Sequence, residues 1–310
     1  MKILVTGCAG FIGSHLCKEL HKRGNEVSGI DNFSELPYGV SIKNDRMKDL
    51  KFVKFTYGDV CDPKSLEKIL DVDCVCHLAA LAGVRASMEN PLEYIKSNVL
   101  GLGSVLESCR LNGVNNVVYA SSSSVYGRNA LGVLKEDQRL DRPVSLYAAT
   151  KKSDELIAHS YHHLYKMNLT GLRFFTVYGP WGRPDMALFK FAKNILAGRP
   201  IQVYNYGNMH RDFTYVDDIV NGIIRCIENV SGFDIYNIGH GSPENLSTFI
   251  EVIENACGKK AITELLPLQP GDVTSTHADI SKIKELGYKP TTSIFDGVPK
   301  TIDWMRSYYG

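Results

Sequence analysis

The sequence predicts an α/β protein: a doubly wound parallel sheet followed by a smaller C-terminal α/β lobe. Three observations point there. Short apolar runs alternate with longer segments of helical periodicity through the first half, the pattern of a parallel sheet covered by helices. A glycine-rich turn, GCAGFIG, joins the first run to the first helical segment. After about residue 175 the texture changes, as Pro180, Pro184, Pro200, Pro243, Pro267, Pro270, Pro290 and Pro299 break the remaining chain into short pieces.

In chain order, KILVTG, NEVSGID, FVKFTYGD, CVCHLA, NNVVYASS and LTGLRFF are the expected strands. Helices are expected over residues 11–22, 63–70, 91–111 and 148–165. In the third helix Ile95, Val99, Leu102, Leu106 and Cys109 recur three or four apart, an apolar stripe suited to a core or a dimer interface. The first lobe is expected to span residues 1–176, with a segment near 212–237 returning to it. Residues 177–211 and 238–310 then form the second lobe. No internal repeat, disordered tract or true linker separates them, so the lobes should share a packed interface.

Composition narrows the function. The 310 residues are 44% hydrophobic and 22% charged, and 35 Lys plus Arg against 34 Asp plus Glu leave a net charge of +1. No basic block is long enough for a nucleic-acid or membrane-surface footprint, so the expected partners are small molecules. Eight cysteines are scattered without a C-x-x-C pair or the ligand cluster of a zinc site, and read as reduced, buried thiols of a cytoplasmic protein with no metal. The N-terminal apolar stretch is too short for a signal-peptide core, and CVCHLAALAGV at 74–84 falls far below the roughly 20 residues a membrane span needs.

GCAGFIG follows a strand and opens a helix, with Gly7, Gly10 and Gly13 permitting a tight turn and a close backbone approach. A pyrophosphate would sit on the positive helix N-terminus there, beside Phe11 and Ile12. Asp31 ends the next strand, where a carboxylate accepts hydrogen bonds from ribose hydroxyls and repels a 2'-phosphate, favouring NAD over NADP. The sheet is therefore expected to be Rossmann-like. Asn32, Asp59, Val60, Leu78, Ala79, Ala80 and Asn98 complete the expected cofactor set, whereas His77 reads as a core histidine.

Tyr147 and Lys151, in YAATK, are four apart on a helix and share a face. A nearby ammonium stabilises a phenolate, which makes Tyr147 a candidate general base. Four serines, Ser121 to Ser124, end the strand NNVVYA, and the carboxyl ends of parallel strands face the ligand crevice. A serine-rich linker would not interrupt an apolar strand in this way.

These motifs together, GCAGFIG, Asp31, HLAA, YASSSSVYG, YAATK and RDFTYVDD in that order, resemble the extended short-chain dehydrogenase/reductase superfamily of nucleotide-sugar enzymes over essentially the whole chain. The resemblance implies that Ser122, 25 residues before Tyr147, is the catalytic hydroxyl and that Ser124 is a second one touching the sugar. Related 4,6-dehydratases carry an Asp-Glu pair at the positions of Ser123 and Ser124, and glucuronate decarboxylases carry Glu at Ser124. Hydroxyls at both positions imply C4 epimerisation.

RFFTVYGPWGRPDMALFKF at 173–191, VYNYGNMHRDFTYVDDIV at 203–220 and LQPGDV at 268–273 are similar to the UDP-glucuronate 4-epimerase branch. That similarity implies a UDP-sugar site formed by Arg85, Ser123, Ser124, Thr176, Arg183, Val203, Asn205, Arg211, Gln269 and Asp272. Thr176 would face the C6 carboxylate, Arg183 a carboxylate or phosphate, and Arg211 the diphosphate. Leu81 and Ala86 depart from the branch, which often has Gln and Tyr there, and keep UDP-glucose, UDP-galactose and N-acetylated hexosamines open as substrates. UDP-glucuronate decarboxylation and a non-catalytic NAD-sensing scaffold are the other readings. Asp217 and Asp218 read as N-caps, His159, His162 and His163 as a solvated helix face, and the apolar stripes on 91–111 and 148–165 as a homodimer's helix bundle.

Overall fold

The computed structural model describes residues 1–67, 69–129 and 132–310. All six expected strands form: β1 (Lys2–Thr6), β2 (Glu26–Asp31), β3 (Lys54–Tyr57), β4 (Cys74–His77), β5 (Asn116–Ser122) and β6 (Asn168–Phe174). Between them run α1 (Phe11–Lys22), α2 (Ser41–Lys48), α3 (Pro63–Leu66), α4 (Val84–Glu89), α5 (Pro91–Tyr94), α6 (Gly101–Leu111) and α7 (Leu146–Tyr165). Of the helix expected over 63–70, Pro63–Leu66 forms, and Lys68 lies outside the described residues. A π-helical turn, Ile95–Leu100, links α5 to α6. α7 starts where Ser145 accepts a hydrogen bond from the Ala148 N–H at 3.1 Å, two residues earlier than the sequence implied.

The rest of the chain supplies β7 (Thr176–Tyr178), α8 (Ala187–Leu196), β8 (Ile201–Tyr204), β9 (His210–Arg211), β10 (Phe213–Tyr215), α9 (Val216–Glu228), β11 (Phe233–Ile238), β12 (Glu244–Asn245), α10 (Leu246–Cys257), β13 (Thr263–Leu266), α11 (Ser281–Lys284) and α12 (Ile294–Tyr309). β11 joins the main sheet, parallel to β6, giving seven strands in the order β3-β2-β1-β4-β5-β6-β11. This is the Rossmann-like order that the glycine loop implied, and it reverses direction between β1 and β4. The lobe strands pair only in twos: β7 with β10, β8 with β13, β9 with β12.

Side-chain alternation divides the sheet into two faces. Ile3, Val5, Val118 and Leu172 pack with Leu16 and Leu20 of α1 and Ile219 and Ile223 of α9. Leu4, Val75, Val117 and Leu169 face the other way, against Leu102 and Leu106 of α6 and Ala158 of α7. Four residues of the apolar stripe on 91–111 thus divide plainly: Leu102, Leu106 and Cys109 are core, and Ile95 is exposed. The lobe has its own core, in which Phe189, Phe213, Phe249 and Ile302 meet. No helix among the described residues is long and apolar enough to cross a membrane.

Two small expectations are corrected. Tyr215, not an aspartate, is the N-cap of α9, and Asp217 and Asp218 occupy its first turn, where the helix dipole favours acids. Asp218 instead tethers a distant segment, accepting from the N–H groups of Thr291 and Thr292 at 3.0 Å each. His159 and His163 are exposed, whereas His162 is half-buried, with Nδ1 2.8 Å from the Met167 carbonyl.

Candidate active site

A cavity of about 1390 Å³ runs from the glycine loop, across the carboxyl ends of β1, β4 and β5, to the lobe. Its floor at one end is the turn after β1. Gly7 has φ +70°, and a Cβ added there would meet the Ala79 N at 2.8 Å; one added at Gly13 would meet the Gly7 carbonyl at 2.2 Å. Only hydrogens fit where these segments touch, so glycine is required by packing as well as by conformation. Gly7, Gly10, Phe11, Ile12 and Gly13 all line the cavity.

Asp31 closes this end. It is 8% exposed, and its oxygens accept from the Ala9 N–H at 3.1 Å and the Phe33 N–H at 2.8 Å. Burial raises its pKa, partly offset by the Phe33 hydrogen bond and the Lys43 charge. Asn32, Asp59, Val60, Leu78, Ala79 and Ala80 line the wall as expected, and Asn32 Nδ2 donates to Asp59 Oδ2 at 3.3 Å. The cradle of glycines, the open helix N-terminus and the acid at the end of β2 fit a dinucleotide pyrophosphate and its ribose.

His77 is not part of the chemistry. It is 2% exposed, its Nδ1 lies 2.8 Å from Thr6 Oγ1, and burial holds its pKa near about 3, so it is neutral at working pH. Asn98 is also displaced from its expected role. Fully buried in the π-helical turn, it accepts from the Leu81 N–H at 2.8 Å and donates to the Leu81 carbonyl and Thr150 Oγ1 at 3.0 Å each. These three bonds tie the loop after β4 to α7, and Asn98 is not among the residues lining the cavity.

At the centre, Ser122, Ser123, Ser124, Tyr147 and Lys151 line one wall. Ser122 and Ser124 are joined hydroxyl to hydroxyl at 3.1 Å, and the Ser124 N–H donates to Ser122 Oγ at 3.1 Å. Ser121 turns inward instead, donating to Glu155 Oε1 at 2.7 Å. Lys151, 2% exposed, donates from Nζ to the Ala120 carbonyl at 2.9 Å and to Asp154 Oδ2 at 3.1 Å. The Tyr147 ring stands edge-on to Tyr94, with centroids 6.3 Å apart, and its N–H donates to Ser87 Oγ at 3.2 Å.

The far end brings Arg85, Thr176, Arg183, Arg211 and Asp272 to the same cavity. Arg183 is gripped by Asp185 at 2.6 and 3.0 Å and donates to the Ala82 carbonyl at 2.9 Å. Arg211 donates to the carbonyls of His210 and Val273, and burial disfavours its charge, with Asp272 opposing that effect. Arg85 sits over the Tyr204 ring at 4.4 Å and 3.5 Å from Asp272.

Three expected lobe residues do not line the cavity. Val203 is 3% exposed in the lobe core, because strand alternation turns it away while Gln202 and Tyr204 face the cavity. Asn205 has φ +51° and donates to the Asn208 carbonyl at 2.6 Å, closing a turn. The Gln269 carbonyl accepts from the Asp272 N–H at 3.2 Å, so Gln269 shapes the loop that delivers Asp272. Conversely, Tyr38, Lys43, Gln202 and Tyr204 line the cavity without having been marked by sequence. Tyr38 and Lys43 lie in and beside α2, which has no apolar periodicity to announce it; the four-residue spacing of the buried Ile42 and Arg46 is its one signal.

The chain is similar to known proteins over its whole length. The Staphylococcus aureus protein CapI is 49% identical over all of this chain and 99% of its own length. UDP-glucuronate 4-epimerase 1 of Arabidopsis thaliana is 44% identical, over all of this chain and 78% of its own. The crystal structure of a Bacillus cereus UDP-glucuronic acid 4-epimerase with UDP-glucuronic acid and NAD superposes with a TM-score of 0.93 at 36% identity, covering both chains fully. Residues 3–239 match the family as a whole. With NAD as its cofactor, the chain belongs to the NAD dependent epimerase/dehydratase family.

Proposed function

We propose that this chain interconverts UDP-glucuronate and UDP-galacturonate by epimerisation at C4. The observation that carries the reading is the wall at the end of β5, where Ser122, Ser123 and Ser124 offer hydroxyls and no carboxylate. Eliminating water from the sugar needs a placed acid and base, which this wall lacks; a reversible oxidation at one carbon needs only a base and hydrogen-bond partners.

Tyr147 takes the proton from the sugar 4-hydroxyl and later returns it, with Ser122 hydrogen-bonded to the same oxygen. Lys151 lies one turn along α7 from Tyr147, and its ammonium is fixed by the Ala120 carbonyl and Asp154. Held by the glycine loop and Asp31, NAD would supply reversible hydride transfer at C4, the one part of the chemistry that side chains cannot supply. Between the two transfers the 4-keto sugar turns in the pocket, so the opposite face meets the returning hydride.

A C4 ketone makes the C6 carboxylate that of a β-keto acid, which loses carbon dioxide when its C5–C6 bond aligns with the ketone π orbitals. Ser123, Ser124 and Thr176 hold the carboxylate away from that alignment by hydrogen bonding, and Arg183, already paired with Asp185, is placed to add a charged hydrogen bond to the carboxylate or the diphosphate. No added acid or base is required.

The test is to incubate the protein, without added NADH, with UDP-glucuronate, UDP-glucose and UDP-N-acetylglucosamine separately and to resolve the products by NMR. UDP-galacturonate from the first alone supports the reading. Turnover of either other sugar in its place would move the substrate to a neutral hexose, and a UDP-pentose would make the enzyme a decarboxylase.

A further inference from the structure

Arg46, on α2, is a buried cation held entirely by neutral groups. It is 1% exposed, and among the described residues no carboxylate pairs with it. Its Nη1 donates to the Ala9 carbonyl, in the glycine loop, and to the Tyr38 hydroxyl, at 3.1 Å each. On the other side Nε and Nη2 donate to the Trp181 carbonyl at 3.1 and 2.6 Å, and Nη2 reaches the Gly182 carbonyl at 3.3 Å. One guanidinium therefore bridges the cofactor loop to a segment 135 residues away.

That segment ends at Arg183. Trp181 has φ +59°, a left-handed conformation unfavourable for a bulky side chain; its carbonyl is held by Arg46 and its ring packs 5.0 Å from those of Trp304 and Tyr308. Tyr38 lies between the two arginines, its ring 5.6 Å from the Arg46 guanidinium and 5.7 Å from that of Arg183. We infer that Arg46 is a positioning residue that ties the cofactor loop to the backbone before Arg183, so that the arginine that meets the sugar nucleotide is held in place from the cofactor side. A lysine cannot substitute. Its single nitrogen lacks the planar fork that reaches carbonyls on two sides at once.

The inference rests on the assignment of Arg183 to the sugar nucleotide. Its test is a double-mutant cycle read by calorimetric titration of the NAD-loaded protein with UDP-glucuronate and with UDP-glucose. Arg183→Lys alone is expected to weaken binding about tenfold, the loss of one charged hydrogen bond. In the Arg46→Lys background the same change should add less than about twofold, because the backbone at Trp181 and Gly182, which carries Arg183 and its Asp185 clamp, is no longer anchored. Multiplicative effects of the two substitutions would overturn the coupling, since a merely structural Arg46 lowers thermal stability and leaves the cost of Arg183→Lys intact. If Arg46→Lys does not fold, Tyr38→Phe is the milder probe: it should weaken binding about twofold, by loss of one neutral hydrogen bond, and do so only when Arg183 is present. The titrations read binding alone. A protein that binds either ligand yet makes no UDP-galacturonate would sink the proposed function and leave this coupling standing.

Discussion

Lys151 Nζ lies 3.1 Å from Asp154 Oδ2, one turn along α7, and both side chains are only 2% exposed. Burial pushes the Asp154 carboxyl up to about 6, against the opposing pull of Lys151, and Glu155 raises it further. Its second oxygen, Oδ1, has no hydrogen-bond partner among the described residues. Above that pKa the carboxylate offsets part of the charge that Lys151 presents to Tyr147. Asp154→Asn keeps an acceptor for Lys151 and removes the offset. The acid limb of the kcat/KM profile should move down by up to about one pH unit, measured between about pH 5 and about pH 9. An unmoved limb, or one displaced upward, contradicts the idea. The same pair has a stability signature. Protonated Asp154 stabilises the fold fully below its unfolded pKa of about 4, and that contribution is lost as the pH rises through about 6. The Asn variant should not show this loss in thermal unfolding.

Tyr147→Phe should abolish turnover while the protein still purifies with NAD, because the hydroxyl moves a proton and the cradle that holds the cofactor lies elsewhere, at Gly7 to Gly13 and Asp31. A loss of at least about a hundredfold in kcat is expected for a general base. Activity within tenfold of the parent in that variant would remove Tyr147 from its role.

Beneath the serine wall, Glu155 accepts from Arg173 Nε at 2.8 Å and Nη2 at 3.0 Å, as well as from Ser121 and Lys152. Burial would raise the Glu155 pKa, but the Arg173 hydrogen bond and charge, with help from Lys152, outweigh it and hold the carboxyl below its usual range. A depressed carboxylate stabilises above its unfolded pKa and loses that contribution as the pH falls through the folded one. Glu155→Gln leaves Arg173 buried without its counter-charge and should cost about 3 kcal/mol at neutral pH by denaturant unfolding. The deficit should shrink below about pH 4, where the parent loses the pair as well. A deficit that stays constant with pH would mean that the ion pair is not its source.

How much of this was legible in the sequence follows from which signals are local. GCAGFIG, Asp31 and YAATK could be read because a tight turn, a strand end and a helix face are each set within a few residues. Six strands of the main sheet carried their own apolar runs. The seventh, β11, did not: FDIYNI at the sheet edge is half-buried over its first four residues and shows no clean run. Asn98, Val203 and Gln269 went astray for a related reason, since their neighbourhood is right and the direction of the side chain depends on tertiary packing. Arg46 gave no sign of its role, because most of its partners, the Ala9, Trp181 and Gly182 carbonyls, are backbone groups distant in the chain.

The apolar faces of α5 and α7 extend the account to assembly. Leu92, Leu156 and Leu164 are 76%, 62% and 61% exposed, and the last two lie eight apart on one side of α7. We expect this face to pair with its copy in a helix-bundle homodimer. Light scattering should give the mass of two 34.5 kDa chains, and Leu156→Glu with Leu164→Glu should give one. A monomeric parent protein would refute the interface.

The most direct test of the central claim follows the hydrogen at C4. Given UDP-glucuronate deuterated at that carbon and no added NADH, the protein should make UDP-galacturonate that keeps the deuterium at C4, because the hydride leaves and returns inside one closed site. NMR distinguishes this from the alternatives in one spectrum: loss of the label to water, or a UDP-pentose as product, would contradict the account.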